Sequence, residues 1–305
     1  LTELIVLVCV KNRSKQLLTL TEKTSIMKKF QNLTLLMAMV LGVILVSCTQ
    51  DNTNSVEEEQ DQAVGIAQDV LEKARSLHFN TYDMQVTTFE KPGGKIEEAY
   101  LLEGDIMLTH DQLMGMELGG DITSKQYRTN NLVNDGVITI IGYTANNSNG
   151  LTQTMQTALQ WAVNNYNRLN LDISFQLTYG TNWQDKDMVV YQVAGGAGGS
   201  AGFPSGGAPN KFVRINSGLA GFSTNVHEHV ICHEIGHSVG FRHSDYFSRQ
   251  SCGQNTNEGS AGVGAIHIPG TPTGWDPTSL MNACFSSSED GEFNNNDITA
   301  LRFMY

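Results

Sequence analysis

Residues 233–243 read HEIGHSVGFRH, an HExxHxxGxxH string that dictates local geometry more tightly than any other stretch of the chain. Side chains four residues apart share one face of an α-helix, so His233 and His237 can address a single metal ion. Glu234, one step round from His233, is placed beside the open side of such an ion, where it can accept a proton from bound water. Gly240 follows three residues after His237, and a residue without a Cβ can take the left-handed conformation that ends a helix. The chain then turns back, and His243 can close a three-histidine set. Three protein ligands leave the fourth tetrahedral position to water, which is the arrangement of a catalytic zinc rather than a structural one.

Nearby residues compete for these roles and lose. His227 and Glu228 begin a second HE pair, but position 231 is isoleucine, so no second HExxH exists. His229 lies four residues before His233 and reads as a polar residue of the first helical turn. A glutamate third ligand, as in thermolysin-like enzymes, would have to be Glu258. That residue sits in QNTNEGSAG, which has no helical pattern, and His243 is the better third ligand.

The elongated motif resembles that of the metzincin zinc peptidases, in which a methionine turn forms an apolar floor under the imidazoles. SLMNACF offers Met281 for that place. HEIGH, GFRHSD, IHIPGTP, SLMNACF and the ending NNNDITALRFMY together resemble the bacterial dual-action HEIGH metallopeptidases, over about residues 128–305 and more weakly before. The resemblance implies a secreted zinc-dependent peptidase related to metzincins. Astacin relatives carry a tyrosine two residues beyond the turn methionine. Here that place is Ala283, so no tyrosine donor to the transition state comes from it.

The other end of the chain carries an address. Met27 is followed by Lys28 and Lys29, an apolar run from about Leu33 to Val46, and then Ser47-Cys48. A short basic region followed by such a run is a secretory signal. Its length, about 14 residues, falls short of the roughly 20 needed to span a bilayer. The terminal LVSC resembles a bacterial lipobox, which makes Cys48 the expected lipidation site. Residues 1–26 are read as a doubtful upstream leader, with Met27 as the initiator.

Charge supports an extracytoplasmic enzyme. The formal charge is −12, and six of the 19 basic but only two of the 31 acidic residues fall within the first 48. The chain beyond Cys48 is therefore more acidic still, which argues against nucleic acid or anionic lipid as a partner. Membrane contact is expected through the lipid anchor alone, and the protein is expected to be a monomer. Cys9 and Cys48 belong to the leader and signal, leaving Cys232, Cys252 and Cys284. Cys232 reads as a small buried apolar residue. Cys252 and Cys284 are the candidate disulfide, stapling the loop between the third histidine and the methionine turn.

The remaining stretches give a domain plan: signal 27–48, polar acidic tether 49–60, a prosegment or accessory region 61–127, and a zinc peptidase domain 128–305. Residues 61–77 have helical spacing, with Val64, Ala67, Val70, Leu71 and Ala74 on one face. MQVTTFE and AYLLEGDIML read as strands around a KPGGK turn. VITIIGYT, LDISFQLTY and DMVVYQV read as further strands, and 151–169 as a long amphipathic helix. The glycine-rich AGGAGGSAGFPSGGAP reads as a flexible surface loop, and it lacks the lysine frame of a phosphate loop. KFVRINSG reads as an edge strand able to pair with extended substrate. The expected fold is α/β (α+β) and metzincin-like: a twisted mixed sheet with a long helix, an active-site helix and a C-terminal helix, behind a small N-terminal region.

The expected activity is hydrolysis of protein or peptide substrates by water activated on Zn2+, with Glu234 as general base. Two alternatives remain open at this point, a catalytically silent zinc-containing binding lipoprotein and a zinc amidase for non-protein amides. Finally, LEGDI at 102–106 resembles the FxGD motif of astacin prosegments. By that likeness Asp105 is a candidate latency ligand, released by cleavage near residues 120–130, where TSKQYR offers Lys125 and Arg128; the competing reading is that Gly104-Asp105 makes a turn between strands.

Overall fold

The computed structural model describes residues 65–117, 127–254, 266–272 and 274–305. Cys48, the signal, the tether, Lys125 and Glu258 lie outside the described residues.

A small N-terminal unit comes first. Helix α1 (Gln68–Ser76) buries Val70, Leu71 and Ala74. The helix begins later than its spacing suggests, because Ala67 is already the extended cap residue. Strands β1 (Gln85–Glu90), β2 (Ile96–Leu102) and β3 (Ile106–Leu108) form an antiparallel sheet in chain order. The KPGGK segment turns β1 into β2, with Lys91 N donating to Lys95 O. AYLLEGDIML is not one strand, because Glu103 and Gly104 both adopt positive φ, 53° and 91°, and fold β3 back onto β2. Helix α2 (His110–Gly115) follows, closed at its start by a capping box between Thr109 and Gln112.

The larger unit is a mixed five-stranded sheet covered by helices. After the short β4 (Tyr127–Arg128) come β5 (Gly136–Tyr143), helix α3 (Gln153–Asn167) and β6 (Ile173–Gly180). Strands β7 (Met188–Val193), β8 (Gly199–Ser200) and β9 (Phe212–Asn216) complete a sheet ordered β6-β5-β7-β9-β8. The first four of these positions are parallel neighbours, and β8 is antiparallel. The β5–β6 crossover is α3, the long connection that parallel pairing requires. Its N-cap Thr152 accepts from Met155 N, worth about 1 kcal/mol. Its inner face buries Met155, Ala158, Leu159, Ala162 and Tyr166. They pack with helix α4 (Thr224–Ser238) and the C-terminal helix α5 (Asn295–Met304) in one apolar core with the inward residues of β5, β7 and β9. Strand β10 (Ile266–His267) pairs with β4.

Two expectations about the sheet edge are corrected. KFVRINSG holds β9, but β9 is an interior strand, with β7 on one side and β8 on the other. The edge is β8, contributed by the glycine-rich run that reads as a loop. Its buried Gly199 and Ser200 pair with Ile215 and Arg214. Close packing explains the glycine: a Cβ on Gly199 would come within 2.8 Å of the Arg214 carbonyl oxygen and of the Glu234 side chain.

Candidate metal centre

Helix α4 starts at Ser223, whose hydroxyl accepts from Val226 N. Thirteen of its residues, Val226 to Ser238, are buried, so it runs through the core and carries its polar side chains there. His227 is spent at the helix start on Ser223 O. The helix stops at Val239, and Gly240 follows with φ 113°. Phe241 N then bonds back to Gly236 O, and His243 is delivered on the returning chain. Gly236 also matters, since a Cβ there would lie 2.6 Å from Met281 Sδ.

Three imidazoles converge. Among the described residues, one ligand atom from each of Asp105, His233, His237 and His243 lies within 4.8 Å of all the others. His237 Nε2 is 3.2 Å from His243 Nε2, and Asp105 Oδ2 is 3.0 Å from His243 Nε2 and 3.3 Å from His233 Nε2. The outward nitrogens each face an oxygen. His233 Nδ1 lies 2.9 Å from Leu280 O, His237 Nδ1 2.8 Å from Phe241 O, and His243 Nδ1 3.1 Å from Glu103 Oε2. With protons held on Nδ1, the Nε2 lone pairs turn towards one common point. His233 Nε2 and Asp105 Oδ1 are buried there without a hydrogen-bond partner. Such orphaned ligand atoms fit a divalent zinc, which nitrogen and carboxylate donors suit.

The floor is held from the far end of the chain. Met281 is 2% exposed, and its carbonyl accepts from Ser244 N, which ties the SLMNACF segment to the residue after His243. Asp297 of α5 accepts from Ser279 Oγ and Leu280 N, holding the residue whose carbonyl faces His233. Burial pushes the Asp297 carboxyl up to about 6, against the bonds it accepts. In sequence Asp297 is only one residue of NNNDITALRFMY, with nothing to suggest that it braces the site. Ala283 N donates to Asp245 Oδ1, and its methyl side chain supplies no hydroxyl to the cleft. Cys252 and Cys284 are joined, with Cα atoms 5.1 Å apart, while Cys232 is free and buried.

Electrostatics follow from burial and from the company each group keeps. Burial, and then the neighbouring Asp105, hold the Glu234 carboxyl well above its usual range. Burial alone would raise Asp105, but the histidines, His243 foremost, hold it well below the usual carboxylate range. His229 stands outside the cluster. Its ring stacks on His233 at 6.4 Å and leans on Phe285, and burial, then His233, lower its pKa to about 4.

A cleft of about 410 Å³ opens beside the histidines, lined by His233, Glu234, His229, Phe222, Phe285 and Ala283 among others. Glu103, Gly104 and Asp105 also line it. Met107 N donates to Ala201 O and Ala201 N to Asp105 O, so residues 105–107 run alongside the β8 edge. Arg128, one of the two basic residues offered for cleavage, is in β4 and pairs with Ile266.

A family model described as dual-action HEIGH metallo-peptidase matches residues 100–305. That span includes the end of β2, the Glu103–Asp105 turn and β3, and so begins earlier than the motifs alone suggest. Two solved structures of myroilysin are similar to the chain. One is 12% identical, covers 54% of this chain and 78% of its own, and has a TM-score of 0.34. The other is 14% identical, with 59% and 90% covered and a TM-score of 0.35. No curated protein matches.

Proposed function

Because the chain belongs to the dual-action HEIGH metallopeptidases, we propose that it is a zinc-dependent endopeptidase whose metal is held by His233, His237 and His243. The convergence of three Nε2 atoms on one buried point, with every Nδ1 facing an oxygen, carries this reading. Bound zinc would lower the pKa of a water to about 7 and polarise the scissile carbonyl. Glu234 takes one proton from the attacking water as its oxygen bonds to the carbonyl carbon. It returns that proton to the amine nitrogen as the C–N bond breaks. The rigid floor of Met281 and the Leu280 and Phe241 carbonyls keep the imidazoles aimed throughout.

In this reading the uncleaved chain is latent. Asp105 stands among the three ligands in the place water needs, and a carboxylate is itself a good zinc ligand. Residues 105–107 also take backbone pairing positions at the sheet edge that an extended peptide would use. Cys48, at the end of a signal-like segment, is the lipid site that would hold the enzyme outside the cytoplasm. Zinc titration of the metal-free protein tests the central assignment: one zinc per chain is expected, and peptide cleavage by Asp105→Ala should be abolished on chelation.

A further inference from the structure

We propose that Glu103 is the positioning residue of the third ligand, His243, so that the N-terminal unit helps to build the metal centre as well as covering it. This rests on the proposed three-histidine metal site.

The three ligands are not supported alike. His233 and His237 stand on a helix, and their outer nitrogens face main-chain carbonyls of the larger unit, Leu280 O and Phe241 O. His243 lies beyond the helix end, and its outer nitrogen faces a side chain of the other unit, Glu103 Oε2 at 3.1 Å. A carboxylate behind an imidazole fixes the tautomer and ring orientation and raises the ligand's basicity.

Glu103 is itself tightly held. It is 1% exposed and sits at φ 53°, a conformation a side chain adopts at a cost unless its surroundings compel it. Arg242 Nη2 donates to Glu103 Oε1 at 2.9 Å, and Asn80 N reaches the same oxygen at 3.2 Å. Arg249 Nη1 donates to the Glu103 carbonyl at 3.2 Å. Arg242, the residue before the ligand, donates to Leu77 O and His78 O and lies 4.4 Å over the Phe79 ring. Glu103 thus contacts both the ligand and its neighbour, while residues 77–79 contact the neighbour. The Arg242 guanidinium and the Glu103 carboxylate thus form a buried ion pair. One turn therefore carries opposite influences, with Glu103 behind the ligand and Asp105 in front of it.

The test uses the full chain as wild type, Glu103→Ala and Glu103→Gln. Zinc affinity is measured by chelator competition, and cobalt(II) absorption reports ligand geometry. Loss of such an outer partner should weaken zinc binding about 10- to 100-fold in Glu103→Ala. Glu103→Gln, which keeps an acceptor but no charge, should lose less, about three- to tenfold. An altered cobalt spectrum should accompany both. A merely structural ion pair with Arg242 would lower the melting temperature of the metal-free protein and leave zinc affinity and the cobalt spectrum unchanged, which would overturn the proposal. If Glu103→Ala does not fold, Glu103→Gln decides on the same readings. Failure of the wild type to bind zinc would instead defeat the metal-site reading itself.

Discussion

Gly199 and Glu234 meet so closely that a single added carbon would collide: a Cβ on Gly199 would lie 2.8 Å from both Cγ and Oε1 of the glutamate. The edge strand β8 and the proposed base are thus packed as one piece. The Arg214 carbonyl oxygen would lie equally close to that Cβ, at 2.8 Å. Gly199→Ala should displace β8 or Glu234, cost about 1–3 kcal/mol of stability by overpacking, and reduce turnover. Its zinc content should stay that of the wild type. Wild-type kcat and melting temperature in Gly199→Ala would show that this contact does not constrain the base.

The ligand set can be separated from its neighbours. His243→Ala should lose both metal and activity, whereas His229→Ala should keep full zinc content, since His229 is outside the four-residue cluster. Zinc analysis of the two purified variants decides, and the reverse pattern would replace His243 as a ligand.

The histidine centre is legible in sequence because its geometry is local. A helix repeat and one glycine bring His233, His237 and His243 within an eleven-residue span. The strands β5, β6 and β7 are legible from their β-branched and aromatic runs, and α3 from its period. Strand β8 is not, because Gly199 and Ser200 carry no hydrophobic pattern and owe their place to space beside Glu234. The break between β2 and β3 is half legible: Gly104-Asp105 carries a turn signal, but the glutamate at positive φ before it gives none. Glu103 likewise gives no sign in sequence of its role as a partner. It meets His243 across 140 residues of chain, and no spacing rule reaches that far. Asp105 stands out only through its likeness to another family's motif.

Latency at Asp105 predicts a gain of function. Asp105→Ala should raise peptide cleavage by the uncleaved protein well above the wild type, with zinc still bound by three histidines. Comparing the two proteins intact, with cleavage between residues 120 and 130 excluded by mass spectrometry, is the check. Equal activity would retire the switch and leave the histidine centre standing.

Anchoring at Cys48 predicts a change of address. In a bacterial host, Cys48→Ala should abolish incorporation of a fatty-acid analogue and move the protein out of the membrane fraction. Equal labelling of variant and wild type would exclude this cysteine as the lipid site.

Glu234 has a single proposed task, to move a proton, and the hydrolytic mechanism depends on it. The direct measurement compares Asp105→Ala with the double variant Asp105→Ala/Glu234→Ala, so that the cleft is open in both. Each should bind one zinc per chain, while kcat for a peptide substrate should fall by about 10²-fold or more in the double variant. Equal zinc with near-equal turnover would contradict the assignment of Glu234 as the base and, with it, the mechanism proposed for this site.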